Sequence, residues 1–486
     1  MQLQIIINKN FLIYIMFLSM IFNYDFDYSG YSNVYAINKI SNQSLIKLPF
    51  RLLSYDFSIS GFNELDNFSI KGKWGIEHQL KSFNKTKLPK MLYNLIDPDN
   101  VNYSIEFREL YFSILNSLAE LRIGKQIYAW GAVDANSPID ILNPIDYYYL
   151  FTDIDETKIG RESIALDLFL SDNIKIHLLA MPNHITNKIP NNDPDFPITL
   201  PASPQSYQML KQSKLDKPIE FGGYIQASLE NMDWTISYFS GYDRNFNLYG
   251  AKVYFSDLNE TITVTDTIFS YRKTDMIGLS NVSFVGDFTL RSDFAFFNTD
   301  DGDYNFDDRE YQGRDVLYFQ DILAFPDTAA INQYFDFHGT YYQYSFQLEY
   351  GLPYGIDLVG QIFGYNSDGI KSNEIDINIT NFEFSSSDVF FPGMGSSMAT
   401  LCEQGLIFNF TKTILDDAIE FQSTHLFDLS DPGQLHQVKI AYDIIEDMNL
   451  SLLFYKGIGH RDKGPEYPFN TMEDFSHIRA QLKYFF

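Results

Sequence analysis

Few residues in this chain are of a type and spacing that could do covalent or metal chemistry. The eight histidines are His78, His177, His184, His338, His425, His436, His460 and His477. None sits in an H-x-x-x-H or H-E-x-x-H pattern, the spacing that sets two imidazoles on one helix face for zinc. They read as histidines of a wall or a surface. Residues 300–308, DDGDYNFDD, are rich in oxygen ligands, and Asp301, Asp303, Asn305 and Asp307 match the first four ligand positions of a calcium loop. The glycine comes early, at Gly302, and Gln312 stands where a bidentate glutamate belongs. A solvated acidic loop is therefore the better reading, with calcium a lesser one. There is no G-x-S-x-G elbow, and Cys402, the only cysteine, allows neither an intramolecular disulfide nor a C-x-x-C site. No catalytic residue and no cofactor are expected.

A more distinctive pattern lies at 124–146: Gly124-Lys125-Gln126, then Trp130-Gly131, Asp134, and Asn143-Pro144-Ile145-Asp146. An indole suits the edge of a membrane, and a glycine after it permits a sharp departure of the chain. Pro138 and Pro144 stiffen the segment, and Asn143 is held extended by the proline that follows it. Asp140 and Asp146 can then cap turns or point inward. Two readings follow. Either these residues only fix a loop conformation, or the loop folds inward as a constriction carrying Asp134, Asp140 and Asp146. Parity sets Arg122, Gln126 and Tyr128 on one face and Ile123, Lys125 and Ile127 on the other. Lys125 would face lipid unless a bulge at Gly124 switches the register.

This block resembles the G-[RK]-Q…W-G…N-P-x-D block of uncharacterised porin-like families of the outer membrane. The resemblance covers residues 121–169. It implies a large monomeric or trimeric barrel, in some cases one that stands near export or efflux genes. By the same likeness, Trp130, Asp134, Asn143, Pro144 and Asp146 are the shared positions.

The elements that would hold such a loop are strands. In 342–350, Tyr342, Tyr344, Phe346, Leu348 and Tyr350 alternate with Gln343, Ser345, Gln347 and Glu349. In 288–296, Phe288, Leu290, Phe294 and Phe296 oppose Thr289, Arg291, Asp293 and Ala295, and 219–229 and 448–454 alternate likewise. Period two over about nine to eleven residues is the length and pattern of a tilted strand crossing a bilayer. The polar face carries mid-strand charge, among it Glu220, Arg291, Asp293 and Glu349, which a barrel would turn toward a wet lumen. Short connections near 115–119, 170–172, 231–232, 284–287, 351–353, 413–415 and 444–447 alternate with long ones, as in barrels with tight periplasmic turns and long external loops.

The tail HIRAQLKYFF is the most specific signal. Ile478, Ala480, Leu482, Tyr484 and Phe486 alternate with polar residues up to the final position, the stripe a closing strand shows to lipid and to the barrel-assembly machinery. Counting back from it to a strand at 66–80 predicts an all-β, up-and-down antiparallel transmembrane barrel of about eighteen strands, with sixteen to twenty the range, and four short strands assigned between 242 and 286. The expected domains are a signal peptide at 1–36, with an apolar core at 11–22 and a cut after Ala36, then an N-terminal segment at 37–65 (extra strand, periplasmic piece or plug), and the barrel at 66–486.

Composition fits this. Aromatics make up 17% of the chain, with 44 Phe and 34 Tyr, while mean hydropathy is only −0.18, so the rings are dispersed among polar residues. A net charge of −28 excludes a nucleic-acid partner. The expected place is the outer membrane of a Gram-negative-type bacterium, and the expected partners are its lipid, the assembly machinery, small solutes and further copies of the chain. The function that follows is passive passage of small solutes through an acidic lumen. A surface structural or adhesive protein acting through its long loops, and an accessory of an export or efflux system, stay open as alternatives.

Overall fold

Strands with one apolar and one polar face have two ways to bury backbone edges, and closure into a ring removes the edges altogether. In the computed structural model this chain closes. The structure describes residues 24–41, 44–62, 67–78, 103–134, 136–152, 156–190, 196, 218–256, 261–301, 328–367, 369–377, 382–385, 390–464 and 467–486. Nine strands come first: β1 (Tyr24–Lys39), β2 (Phe50–Phe62), β3 (Asn67–His78), β4 (Tyr103–Leu115), β5 (Ala119–Gln126), β6 (Arg161–Ser171), β7 (Ile174–Met181), β8 (Glu220–Ser228) and β9 (Met232–Tyr242). They continue through β12 (Lys273–Val285), β13 (Phe288–Asp300), β15 (His338–Leu352), β16 (Ile356–Asn366), β19 (Gln404–Ile414), β20 (Ile419–Asp428), β21 (Gln434–Ile445), β22 (Met448–Ile458) and β23 (His477–Phe485). These eighteen form one antiparallel sheet, and β23 pairs back onto β1, with Val34 opposite Leu482 and Ala36 opposite Ala480. Gly30 and Phe486 exchange two backbone hydrogen bonds of 3.0 Å at the seam.

The two faces obey the alternation. Phe294 and Phe346 stand outside, 41% and 52% exposed, while Asp293 and Ser345 between them are fully covered inside. Ile478, Ala480, Leu482, Tyr484 and Phe486 all lie on the exposed outer stripe. Tight turns join strands at one end, such as 286–287 and 446–447, and the long connections lie at the other. Among the described residues no helix is long and apolar enough to cross a membrane.

The boundaries at the N-terminus need correction. Residues 24–36, assigned above to a signal peptide, are most of β1, and 50–62 is β2 rather than a plug or periplasmic piece. The barrel therefore begins at Tyr24, not at 66. β2 is the extra strand offered for 37–65, whereas β1 was obscured because it follows an apolar run and carries small polar residues on both faces. The apolar core at 11–22 lies outside the described residues. The count of eighteen holds for a compensating reason. Between 242 and 286 only β12 belongs to the barrel, whereas β10 (Asn247–Ser256) and β11 (Thr261–Ser270) leave it for a separate three-stranded sheet in which β10 pairs with β11 on one side and β14 (Thr328–Tyr334) on the other. A further two-stranded ribbon joins β17 (Glu374–Ile377) to β18 (Phe382–Ser385). Lys125 does lie on the outer face, because the β4–β5 ladder keeps its register through Gly124 and no bulge intervenes. It sits one residue from the long-loop end of β5, opposite Glu162 on β6, so its amine is near the rim rather than the middle of the apolar band.

Candidate functional site

The segment 127–160 between β5 and β6 does not lie on the rim. Its root is tied by Asn143, whose Oδ1 accepts from the Tyr128 N–H at 2.6 Å while its Nδ2 donates to the carbonyls of Gln126 (3.1 Å) and Ile159 (2.8 Å). Ile159 N–H donates to the Pro144 carbonyl at 2.8 Å. The extended Asn143-Pro144 pair thus joins the outgoing and returning arms. Asp146 accepts from the Tyr148 N–H at 3.1 Å, capping a short 3-10 turn at Tyr147–Tyr149, and its other oxygen meets Lys188 Nζ at 2.6 Å.

The outgoing arm runs down the inner wall. Trp130 is buried edge-on against His177 of β7 and Tyr224 of β8, with ring centroids 5.9 and 5.6 Å apart. The chain then turns at Gly131 (φ +96°), where a Cβ would lie 2.6 Å from Asp293 Oδ2. Asp293, in the middle of β13, accepts from the N–H groups of Ala132 (2.8 Å) and Val133 (3.1 Å) and from Ser137 Oγ (2.7 Å). Its neighbour Arg291 donates to the Ala132 carbonyl at 3.1 Å and pairs with Glu349 at 2.5 Å. Asp134 completes the group, accepting from Gln347 Nε2 at 2.7 Å and lying 3.5 Å from Arg291. Asn136 Oδ1 accepts from Met398 N–H at 2.9 Å and from Ser396 Oγ, in the connection between β16 and β19.

The returning arm is first held by β6 and β8, beside the outgoing arm, before it reaches the far wall. Arg161 and Arg244 donate to the Leu142 carbonyl, and both grip Glu220, at 2.5 and 2.8 Å. His184 adds a third contact to Glu220 at 2.8 Å, and burial lowers its pKa to about 4, so it binds as the neutral imidazole. Beyond, Tyr149 Oη donates to Glu77 of β3 at 2.7 Å, and Glu156 accepts from Arg108 of β4 and Tyr31 of β1, each at 2.5 Å. Arg479 of β23 donates to the Thr152 carbonyl. Phe151 packs edge-on against Tyr455 and Phe475. One loop therefore touches β13 and β15 on one side and β1, β3, β4 and β23 on the other, so it crosses the lumen.

Of the six loop residues singled out from sequence, only Asp134 presents an open carboxylate, with its side chain 60% exposed. Asp140 is partly buried and paired with Lys158 at 2.5 Å, and Asp146 with Lys188. Burial pushes both acids up and the lysines beside them pull down. For Lys188 burial pulls down, but Asp146 and Glu77 hold the amine above its ordinary range. The loop does fold inward carrying Asp134, Asp140 and Asp146, but each is in an ion pair, with Arg291, Lys158 and Lys188 respectively, and only that of Asp134 is open to solvent. Glu220, Arg291, Asp293 and Glu349 all face inward, each committed to a partner. The grips of Arg51, Arg108, Arg161, Arg244 and Arg479 had no signal in spacing, since they pair with residues up to 327 positions away. Between the outgoing arm and the wall lies a cavity of about 150 Å³ lined by Trp130, Tyr224, Gln226, Thr235 and Ser280 among others. As for the calcium candidate, Asp301 is buried against Arg272 Nε at 2.9 Å, so its carboxylate is already occupied. Asp303, Asn305 and Asp307 lie outside the described residues.

Neither a protein-family model nor a curated protein matches the sequence. Solved structures similar to this chain include OccK8 (OprE) of Pseudomonas aeruginosa, with 10% identity, a TM-score of 0.47 and 95% of this chain and 98% of that one covered. The outer membrane protein opdK of Pseudomonas aeruginosa gives 8% identity, a TM-score of 0.47, and 95% and 99%. OccAB3 of Acinetobacter baumannii gives 8% identity, 0.46, and 96% and 99%. Overlaps of this depth transfer no solute and no residue role to this chain.

Proposed function

We propose that the protein is an outer-membrane channel for the passive passage of small solutes, narrowed by the loop 127–160. The observation that carries this is the loop's path: it crosses a closed eighteen-stranded barrel from the Asp293 side to the Glu156 side. Barrels of this size are wide enough for an aqueous path, so the crossing loop sets its width. The apolar outer face matches lipid, and the long connections fall at one end, as expected of external loops.

At the short-turn end the inner positions Asp25, Asp27, Asp357 and Asp443 are exposed acids. Together with Asp134 they favour entry of cations over anions by raising the local cation concentration. Purified protein in planar bilayers is expected to give discrete conductance steps, with a reversal potential in a salt gradient displaced toward cations. A silent protein, or an anion preference, would overturn the reading. The extra-barrel sheet β10–β11–β14 favours a second reading, a binding surface at the long-loop end. Deleting 247–270 should abolish any such binding while leaving conductance intact.

A further inference from the structure

The outer face of the β20–β21 hairpin carries a chain of polar side chains that a channel does not need. Around it that face is apolar: Phe410 on β19, Phe421 on β20, Val438 and Ile440 on β21. Ser423 pairs across the ladders with Phe410 and Val438, and His425 with Phe408 and His436, so Ser423, His425 and His436 share the outer face. Gln434 shares it too, opposite Phe427. Polar residues on the lipid face of a barrel are costly, and those that persist there are candidates for function.

The contacts form a continuous relay. Ser423 Oγ lies 2.9 Å from His425 Nε2, His425 Nδ1 lies 2.8 Å from His436 Nδ1, and His436 Nε2 lies 3.1 Å from Gln434 Oε1. Chemistry fixes its direction. The amide oxygen of Gln434 can only accept, so His436 Nε2 carries the proton and, in the neutral ring, Nδ1 accepts. His425 Nδ1 must then donate, which leaves its Nε2 as the acceptor for the Ser423 hydroxyl. A hydroxyl aimed at a basic nitrogen, on a ring whose other nitrogen is oriented by a third group, is the arrangement of an activated nucleophile.

We propose that Ser423 is the nucleophile of a lipid-ester hydrolase site on the outside of the barrel, with His425 its general base and His436 a positioning residue. The inference rests on the barrel standing in a bilayer, not on its conducting. In the proposed reaction Ser423 Oγ bonds to the ester carbonyl carbon as its proton passes to His425 Nε2. The tetrahedral adduct breaks its bond to the alcohol oxygen, which leaves with that proton, and an acyl-Ser423 remains. Water then adds to the acyl carbonyl, giving a proton to His425. The bond to Ser423 breaks, the proton returns to Oγ, and a fatty acid is released.

The surroundings select the substrate class. Ser423 is only 8% exposed, flanked by Phe410 and Val438, so the approach is from the hydrocarbon side and suits an acyl chain. The relay climbs from Ser423 near mid-strand to Gln434, the first residue of β21 at the long-loop end. Lys456, opposite His436 on the same outer face, sets a cation there that suits a phosphate headgroup. The class is therefore acyl esters of phospholipids in the leaflet on the long-loop side.

The test uses the full chain in phosphatidylethanolamine vesicles. Treatment with a fluorophosphonate followed by digestion and mass spectrometry should place the adduct on Ser423, and fatty acid should be released from the vesicles. Ser423→Ala should remove both while single-channel conductance stays as in the parent. His425→Gln should slow labelling by about 100-fold or more. His436→Phe should slow labelling and displace the pH profile of its rate, with His436→Asn restoring part by keeping an acceptor. No adduct at Ser423, or fatty-acid release that survives Ser423→Ala, overturns the proposal. Labelling without conductance would instead overturn the channel and leave this site standing.

Discussion

At the scale of single residues, one carboxylate decides where the crossing loop rests. Asp293 is fully covered and takes three donors from the loop, two from backbone N–H groups. Hydrogen bonds to a charged acceptor contribute about 1.5–3 kcal/mol each, and buried donors left unmet cost more than the bond was worth. Asp293→Ala should therefore free the tip at Ala132–Ser137 and give larger, noisier conductance steps with the barrel intact. Unchanged steps would mean the tip is held elsewhere. Gly131→Ala should act in the same direction, because its φ of +96° disfavours a side chain and its Cβ would collide with Ser137 and Asp293. Slower hydrogen exchange at 131–137 in that variant would count against this. Period two in 288–296 had already turned Arg291 and Asp293 inward. That Asp293 binds a loop 156 or more positions earlier was not legible, because alternation gives a face and not a partner.

At the scale of elements, the connection between β9 and β10 is pinned by a buried acid. Asp243 accepts from Thr274 Oγ1 at 2.6 Å and Asn247 Nδ2 at 3.0 Å, and lies against Gly393. Burial raises its pKa from 3.8 to about 7, against the pull of Thr274 and Arg272. Asp301, beside Arg272, is raised to about 6. Between the unfolded and the folded values the folded chain keeps a proton that the unfolded chain has released, so stability falls as pH rises from about 4 to about 7 and levels off above. Residues 243–247 should accordingly show stronger protection from hydrogen exchange, corrected for intrinsic rates, at pH 5 than at pH 8. Asp243→Asn should flatten the difference, and a difference that survives it would assign the pH response to another group. These elements were the least legible in the sequence. β10 and β11 alternate well enough to pass as barrel strands, and only the pairing of β10 with β14, more than seventy residues on, and of β11 with β10 takes them out of the wall. The hairpin β20–β21 shows the same gap at finer grain. His425 and His436 are eleven positions apart, which matches no metal or catalytic spacing, yet the register of one tight connection sets their Nδ1 atoms 2.8 Å apart.

At the scale of the whole molecule, the closed ring was readable from alternation, loop rhythm and the tail, whereas its first member was not. A chain trimmed to begin at residue 37 should fail to close, because it lacks most of β1, while one beginning at Tyr24 should close. Heat-modifiable migration in detergent gels reads the difference. Equal migration shifts for both would show that β2 can take the place of β1 against β23.

The seam between β1 and β23 also sets an order of events in time. Every other strand in the ring pairs with its neighbour along the wall, so those contacts can form as a local series of hairpins. The final ladder joins residues 31–39 to 477–485, contacts separated by nearly the whole chain, and such long-range closure is slow. Until it forms, the curled sheet carries two raw edges with unpaired N–H and C=O groups, each a template for pairing with the wrong chain. The growing sheet must therefore be held open and shielded until β23 arrives. The rate at which β23 reaches β1, rather than the strength of any single contact, then governs how much of the protein becomes a barrel and how much becomes aggregate.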